Sequence, residues 1–565
     1  MLYHAAIAIE AGQIPYQVKD DNMPTPVVTP GPAPGRDRDR SCLTARSALW
    51  AVIGVSTLLR LLWAQILGPA IDEPYYLQYI LHPALSYFDH PPMVALVGAL
   101  GVVLARDAFS ILGLRVGFIL LFAGSTWLMA RLTSRFYGPR AGVVAAIVLN
   151  ATGYFGMAVG TIALPDGPLL FFWLLTLNAL AIALTNPDRI PAWLGVGLAW
   201  GGAMLSKYHA VLLPVGALLY LVLRPKARRC LAKPGPYLAV AVGLALFSPV
   251  VFWNATHGWA SFLFQGGRAS ASSGLRLDHL AVAVGIEALY LFPWLWVALM
   301  VILIRLARSG PRNWDEGETF LICQAIPALV LFHGIASFHR IMPYWPLFGF
   351  ISLIPLLGRN WAEGLRTHPV VQGRWLALTA VIPVLLAATV SAQDRLGLFE
   401  DGQGRLLGLI APAKDPTVEL ICYEQVAEEL ERRGLLDDPK TFLFTDSWDR
   451  SARLALATRG KAKVACYNLE ARSFSFWSRP EDFVGRDGIF VEDERRPGHL
   501  SHYAKFFVKY GPIGTARIVR RGIVVREVYL YRGTHQTWAF PFNGLIAARS
   551  PQPKAVSQSR DGLLR

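Results

Sequence analysis

IDEPYYLQYILHPALSYFDHPPMVALVGALGVVLA, residues 71–105, decides how the rest of the chain is read. Its last part, PMVALVGALGVVLA (92–105), is apolar but only 14 residues long. A helix needs about 20 apolar residues to cross roughly 30 Å of hydrocarbon. If 92–105 crosses a membrane, every later loop changes side; if it lies in the interface, none does. Apolar runs near spanning length stand at 48–69, 112–131, 141–159, 167–185, 191–206, 209–223, 237–253, 280–304, 319–337, 343–358 and 375–393.

Loop charge arbitrates, because Lys and Arg gather in short cytoplasmic loops. With 92–105 not crossing, one side collects fifteen inter-span basic residues, among them Arg131, Arg135, Arg140, Arg224, Arg305 and Arg359. The other side has six: Arg106, Arg115, Lys207, Arg268, Arg276 and Arg340. Arg36, Arg38, Arg40 and Arg46, ahead of the first span, join the richer side. The expectation is eleven spans, a cytoplasmic N-terminus and a C-terminal domain outside. Residues 92–105 then form an interfacial or re-entrant helix of the first outer loop.

Composition supports a polytopic membrane protein. Of 565 residues 53% are hydrophobic and 16% charged, with mean hydropathy +0.38. A soluble domain carries roughly 25% charged residues, so an ordinary cytosolic enzyme is excluded. Despite the net charge of +15, a chain this apolar is neither disordered nor a nucleic-acid binder. Five cysteines are too few for a disulfide scaffold, and no CxxC or Cys/His spacing marks a zinc site. There is no Walker A loop, no GxGxxG between a strand and a helix, and no HExxH.

Charge also divides the chain. Residues 394–565 hold 22 of the 39 acids and 27 of the 54 Lys and Arg, whereas 48–393 hold twelve acids. Residues 1–47, with PTPVVTPGPAPGRDRDR (24–40), read as a disordered cytoplasmic tail. Met23 is a second candidate start, and no signal peptide is read ahead of the first span. Residues 48–393 are the membrane domain. Residues 394–565 alternate helical spacing (TVELICYEQVAEELERRG) with strand-like runs (TFLFTD, KVACYNL, GIFVE, IVVREVYLYRG) and a helix near 499–510, a small α/β accessory domain. Cys422 and Cys466 fall here, and whether they bond is open.

The side assignment sorts the acids. Asp72, Glu73, Asp89, Asp107, Asp166 and Asp278 all fall in outer loops, pointing to a site at the outer membrane surface. An Asp-Glu pair at the boundary is expensive unless it is used or paired. Asp72 reads either as a general base assisted by Glu73 or as the N-cap of a helix beginning at Pro74. Asp166 reads as a second site acid or as a helix-start residue. Arg115, Lys207, Arg268 and Arg340 stand at outer span ends, where they serve a phosphate or snorkel to headgroups. Asp89 and His90, with His257, lack metal-ligand spacing, and a hydrogen-bonded loop histidine is the preferred reading. Arg60 and Glu287 lie within spans and are candidates for a buried pair.

These stretches, with LPDGPLLFFWLL, GLAWGGAMLSKYHAVLLP, SPVVFWNATHGWASFLFQ and MPYWPLFGFISLIPLL, resemble the bacterial family 39-type glycosyltransferases. That group joins protein O-mannosyltransferases and the aminoarabinose transferases of lipid A in the GT-C superfamily. The resemblance covers roughly residues 48–360 and, more loosely, VACYNLEARSFSFWSRPEDFVGRDGIFV. It implies an inverting transfer of a sugar from a polyprenyl-phosphate donor to a lipid, glycan or protein acceptor at the periplasmic face of the inner membrane. It implies no cofactor or metal and no nucleic-acid partner. Asp72 falls where the family places its base and Glu73 on the partner acid. Asp166 is the second-loop acid and Arg115 a donor-phosphate residue. Arg340 precedes the late Pro-Tyr motif that holds Tyr344, and Lys207 with Tyr208 lies in the SKY motif. Asp89, His90 and Arg268 complete the substrate-binding set. Arg340 stands where the aminoarabinose branch has Lys, and a bidentate Arg is a different phosphate ligand. The competing class is a transporter or flippase, which places charges mid-membrane and repeats its halves.

Overall fold

The computed structural model describes residues 36–270, 274–400, 408–493 and 500–541. Most of the expected tail and Met23 lie outside the described residues. In the membrane part the helices are α1 (Arg36–Ile66), α2 (Glu73–Leu81), α3 (Met93–Ala105), α4 (Ile111–Tyr137), α5 (Pro139–Ala151), α6 (Asp166–Thr185), α7 (Ile190–Ser206) and α8 (Leu212–Leu223). They continue as α9 (Pro234–Thr256), α10 (Ala260–Ser270), α11 (Leu277–Leu291), α12 (Pro293–Ser309), α13 (Glu316–Ala336), α14 (Leu347–Ile351), α15 (Ile354–Thr367) and α16 (Pro369–Leu396). The first helix starts at Arg36, ahead of the expected 48. Residues from Ala45 onward form one compact unit.

Among the described residues six helices are long and apolar enough to cross a membrane, and nine if three bent pairs each count as one span. One bent pair is α5 with the π-helical turn Gly153–Val159, at 69°. Another is α11 with α12, bent by 112°, where the positive φ of Phe292 and the following Pro293 break the helix. The two remaining expected spans are α7, with 17 residues, and the segment 343–358, which the structure builds from α14 and the start of α15. The chain is a multi-pass membrane protein.

Contacts separate the two ends of the bundle. At one end Arg224 donates to the Trp314 carbonyl, while Arg359 reaches Asp315 at 2.8 Å and Glu318 at 3.1 Å. Arg305 reaches Glu318 at 3.1 Å and Tyr137 bonds Asp315. These residues share the basic-rich side of the sequence reading. Asp72, Asp89, Asp166 and Lys207 gather elsewhere, around one cavity described below. Arg60 and Glu287 do not pair: Arg60 donates to the Gly156 and Ser56 carbonyls and covers the Phe122 ring, whereas Glu287 meets His333 at 3.1 Å.

Helix α3 is 13 residues long, about 20 Å at 1.5 Å per residue, which is short of the hydrocarbon thickness. Glycines seat it on α4. A Cβ on Gly101 would lie 2.0 Å from the Gly113 carbonyl oxygen, and one on Gly117 would lie 2.4 Å from that of Val97. Gly113 and Gly117 are a small-x-x-x-small pair that lets two backbones touch.

The C-terminal domain has a five-stranded sheet of order β2-β1-β3-β5-β4, built from β1 (Thr441–Thr445), β2 (Lys463–Cys466), β3 (Asp487–Asp493), β4 (Phe507–Arg520) and β5 (Ile523–Gln536). Strand β1 runs parallel to β2 and β3; β5 is antiparallel to both β3 and β4. Helices α17 (Glu424–Arg432), α18 (Trp448–Thr458), α19 (Phe474–Trp477) and α20 (Leu500–Ala504) complete it; α20 is shorter than the expected helix because β4 begins at Phe507. Cys422 and Cys466 are buried free thiols. Arg520 ties the domain to the end of α16, bonding Glu400, Asp415 and the Gln393 and Asp394 carbonyls. One hydrophobic core runs from Tyr75, Tyr79 and Val94, between α1 and α4, into Phe442, Phe444 and Phe490 of the sheet.

Candidate active site

Asp72 occupies the N-cap position of α2 in an αR conformation, yet its side chain makes no capping bond. Pro74 starts the helix without needing one. The carboxylate therefore keeps its acceptors, and among the described residues no hydrogen bond to it is formed. It lines a cavity of about 280 Å³, large enough for a monosaccharide. Burial pushes its carboxyl up to about 6, with Asp89, Asp449 and Glu73 adding to the rise and Arg472 opposing it. A base needs a free lone pair and a pKa near the working pH, and Asp72 has both.

Glu73 points the other way and is fully buried. Its Oε1 accepts from Arg115 Nε at 2.8 Å and the Ala163 N–H at 3.0 Å; Oε2 accepts from Arg115 Nη2 at 2.6 Å and the Ala70 N–H at 2.8 Å. Arg115 spends its other donors on the carbonyls of Ala64, Leu67 and Gly68, at 2.7–2.8 Å. All five of its N–H groups are used, so none remains for a phosphate. The two residues form a clamp that fixes the end of α1 and thereby the backbone carrying Asp72.

Asp166, the first residue of α6, and Lys207, just past α7, face the same cavity. Lys207 Nζ lies 2.9 and 2.8 Å from the two Asp166 oxygens and 5.0 Å from the centre of the Tyr344 ring. Tyr154 stacks between Tyr344 and Tyr290, at 5.2 and 5.6 Å, as an aromatic wall. His90 lines the cavity too; burial first, then the charges of Lys207, Arg268 and Arg472, push its imidazole well below its ordinary value, so it is neutral.

Asp89 sits behind the cavity, accepting from Tyr75 Oη at 2.6 Å and pairing with Arg472 at 3.1 Å. Arg268 is half-buried over the Phe264 ring at 4.5 Å. Tyr208 shares a 2.6 Å hydrogen bond with Ser261 and does not line the cavity. Arg340 is exposed in the loop between α13 and α14, outside the cavity wall. His257 stacks on Trp253 at 4.2 Å, and among the described residues no three His, Cys, Asp or Glu side chains gather as metal ligands. Tyr76, one of the aromatic residues beside the Asp-Glu pair that suit an interface belt or a sugar platform, is in the cavity wall; Tyr154 and Tyr290 there, and Arg472 behind it, were not singled out by sequence, because a lone arginine or tyrosine carries no spacing signal.

Residues 89–253 match the dolichyl-phosphate-mannose-protein mannosyltransferase family model. The lipid A galacturonosyltransferase RgtD of Rhizobium johnstonii is 24% identical over 344 residues, covering 59% of this chain and 70% of that protein. The fold matches ArnT of Cupriavidus metallidurans bound to undecaprenyl phosphate with TM-score 0.53 and 18% identity, over 85% of this chain and 97% of ArnT. Apo ArnT matches with TM-score 0.54 and 16% identity, over 86% and 98%. The chain shares the fold of ArnT. The matched segment 89–253 contains Asp166, Lys207 and His90, while Asp72 lies just ahead of it.

Proposed function

We propose that this protein is a glycosyltransferase that moves a hexosyl or pentosyl group from a polyprenyl-phosphate donor to a lipid A-type acceptor at the periplasmic face of the inner membrane. The reading rests on one observation above all: an unpaired carboxylate, Asp72, and a paired cation, Lys207, share a cavity with an aromatic wall. RgtD, named for transfer to lipid A, and ArnT, seen with undecaprenyl phosphate, support the choice of donor and acceptor class. The excess of basic residues at the far end of the bundle supports a cytoplasmic N-terminus and a periplasmic 394–565.

In the reaction, Asp72 removes the proton of the acceptor hydroxyl as its oxygen attacks the anomeric carbon. The C–O bond to the phosphate breaks on the opposite face, giving inversion. Lys207, with Arg268 nearby, offsets the charge gathering on the departing phosphate. Neutral His90 and the Asp166 carboxylate are placed to bond sugar hydroxyls. The test is transfer of radiolabel from a panel of polyprenyl-phosphate sugars into lipid A by wild type and Asp72→Asn. Asp72→Asn is expected to fold normally, since it gives up no hydrogen bond, and to lose at least about 100-fold in rate. Turnover by the Asn variant at the wild-type rate rules this base out.

A further inference from the structure

Two consecutive residues of the outer domain, Arg472 and Ser473, reach the first outer loop beside Asp72, in addition to the shared core and the Arg459–Asp107 pair. Arg472 pairs with the Asp89 carboxylate at 3.1 Å. The Ser473 N–H donates to Tyr75 Oη at 3.0 Å, and Ser473 Oγ accepts from the Phe88 N–H at 3.4 Å. Arg472 is held in the left-handed region at φ 50°, a conformation that non-glycine residues seldom adopt. Its guanidinium lies flat over Trp448 at 4.0 Å, and its buried Nε has no hydrogen-bond partner. Strain and an idle donor next to a reaction cavity are what a placed functional group looks like.

The charges around Asp72 explain the placement. Three carboxylates act on it through their charge: Glu73, next to it in the chain, Asp89 from the turn after α2, and Asp449 from α18. Arg115 neutralises Glu73, Asp449 accepts from the Ser447 hydroxyl, and Arg472 neutralises Asp89. Tyr76 and Tyr344 approach as neutral phenols, and Lys207 in the same cavity is committed to Asp166. Arg472 is the cation that faces both Asp72 and Asp89.

We infer that Arg472 is a positioning residue of the transfer reaction, contributed by the outer domain: it cancels Asp89 and sets a fixed positive charge beside Asp72, keeping the base ionised. This deepens the glycosyl-transfer reading and rests on it. The outer domain is then part of the reaction centre and not only a dock for the acceptor.

The test reads Asp72 without any substrate. Dicyclohexylcarbodiimide modifies protonated, buried carboxyls, so peptide-resolved labelling of Asp72 against pH in nanodiscs reports its ionisation. With Arg472→Gln, half-labelling is expected to move up by about one pH unit or more, roughly tenfold in proton concentration. Arg472→Lys keeps the charge and is expected to label near the wild-type pH. Asp89→Asn removes a repelling charge, frees Arg472, and is expected to move half-labelling down. A purely structural Arg472 predicts that Lys and Gln variants behave alike; that result, or unchanged labelling in Arg472→Gln with wild-type elution and melting, overturns the inference. If Arg472→Gln does not fold, the opposite shift in Asp89→Asn and its absence decide the matter. Absence of transfer by the wild type counts against the glycosyl-transfer reading, and labelling still judges Arg472.

Discussion

Replacing Arg115 by lysine separates the two roles that an arginine at a span end can have. In the structure its five N–H groups hold both Glu73 oxygens and the carbonyls of Ala64, Leu67 and Gly68. A lysine ammonium has three N–H groups and no fork, so at least two bonds are lost in a fully buried site. At about 1.5–3 kcal/mol for each bond to a charged group, the loss is roughly 3–6 kcal/mol, in line with the cost of disrupting a buried ion pair. Thermal unfolding of Arg115→Lys in nanodiscs is expected to show a clearly lowered midpoint. The KM for the lipid-linked donor, measured on the folded fraction, is expected to stay within about twofold. A wild-type midpoint with a donor KM raised tenfold refutes the clamp and restores Arg115 as a phosphate ligand.

Two further outcomes follow from the same geometry. Because burial holds the Asp72 carboxyl at about 6, the base form is lost as pH falls through that value; kcat/KM is expected to decline about tenfold per unit below pH 6, and an acidic limb near pH 4 contradicts the assignment. Gly101→Ala places a methyl 2.0 Å from the Gly113 carbonyl oxygen and is expected to cost about 1–3 kcal/mol. Faster proteolysis between α3 and α4 reports it, with Gly54→Ala, where nothing lies within 4 Å, as the neutral control.

Much of the membrane domain is legible from hydropathy and loop charge alone, because both are local. The short helix at 93–105 and the gathering of Arg224, Arg305 and Arg359 at one end show this. Breaks are harder: the run 280–304 reads as one apolar stretch, and only the backbone shows the turn at Phe292. Within the site, Asp72, Asp166, Lys207, His90 and Tyr344 are brought together as their shared side implied. Arg115 and Glu73 are as visible in sequence as Asp72, but their mutual partnership spans 42 residues and is not. The same limit hid Arg472, whose partner Asp89 lies in a different domain, and it separated Arg60 from Glu287. A sequence shows which side chains are costly to bury; it does not show which of them have already been compensated.

The bond between Ser473 and Tyr75 joins positions 398 apart in the chain, and this gives the enzyme a timetable. At roughly 5–20 residues per second, the loop bearing Asp72 is synthesised some tens of seconds before the segment that completes its surroundings. Until then Tyr75, Tyr79 and Asp89 lack their cover; the cavity around Asp72 is complete in residues up to Tyr344, but the Arg472 charge is not yet beside it. On the transfer reading, chains truncated before the sheet should thus reach the membrane with the cavity formed and the base weakened.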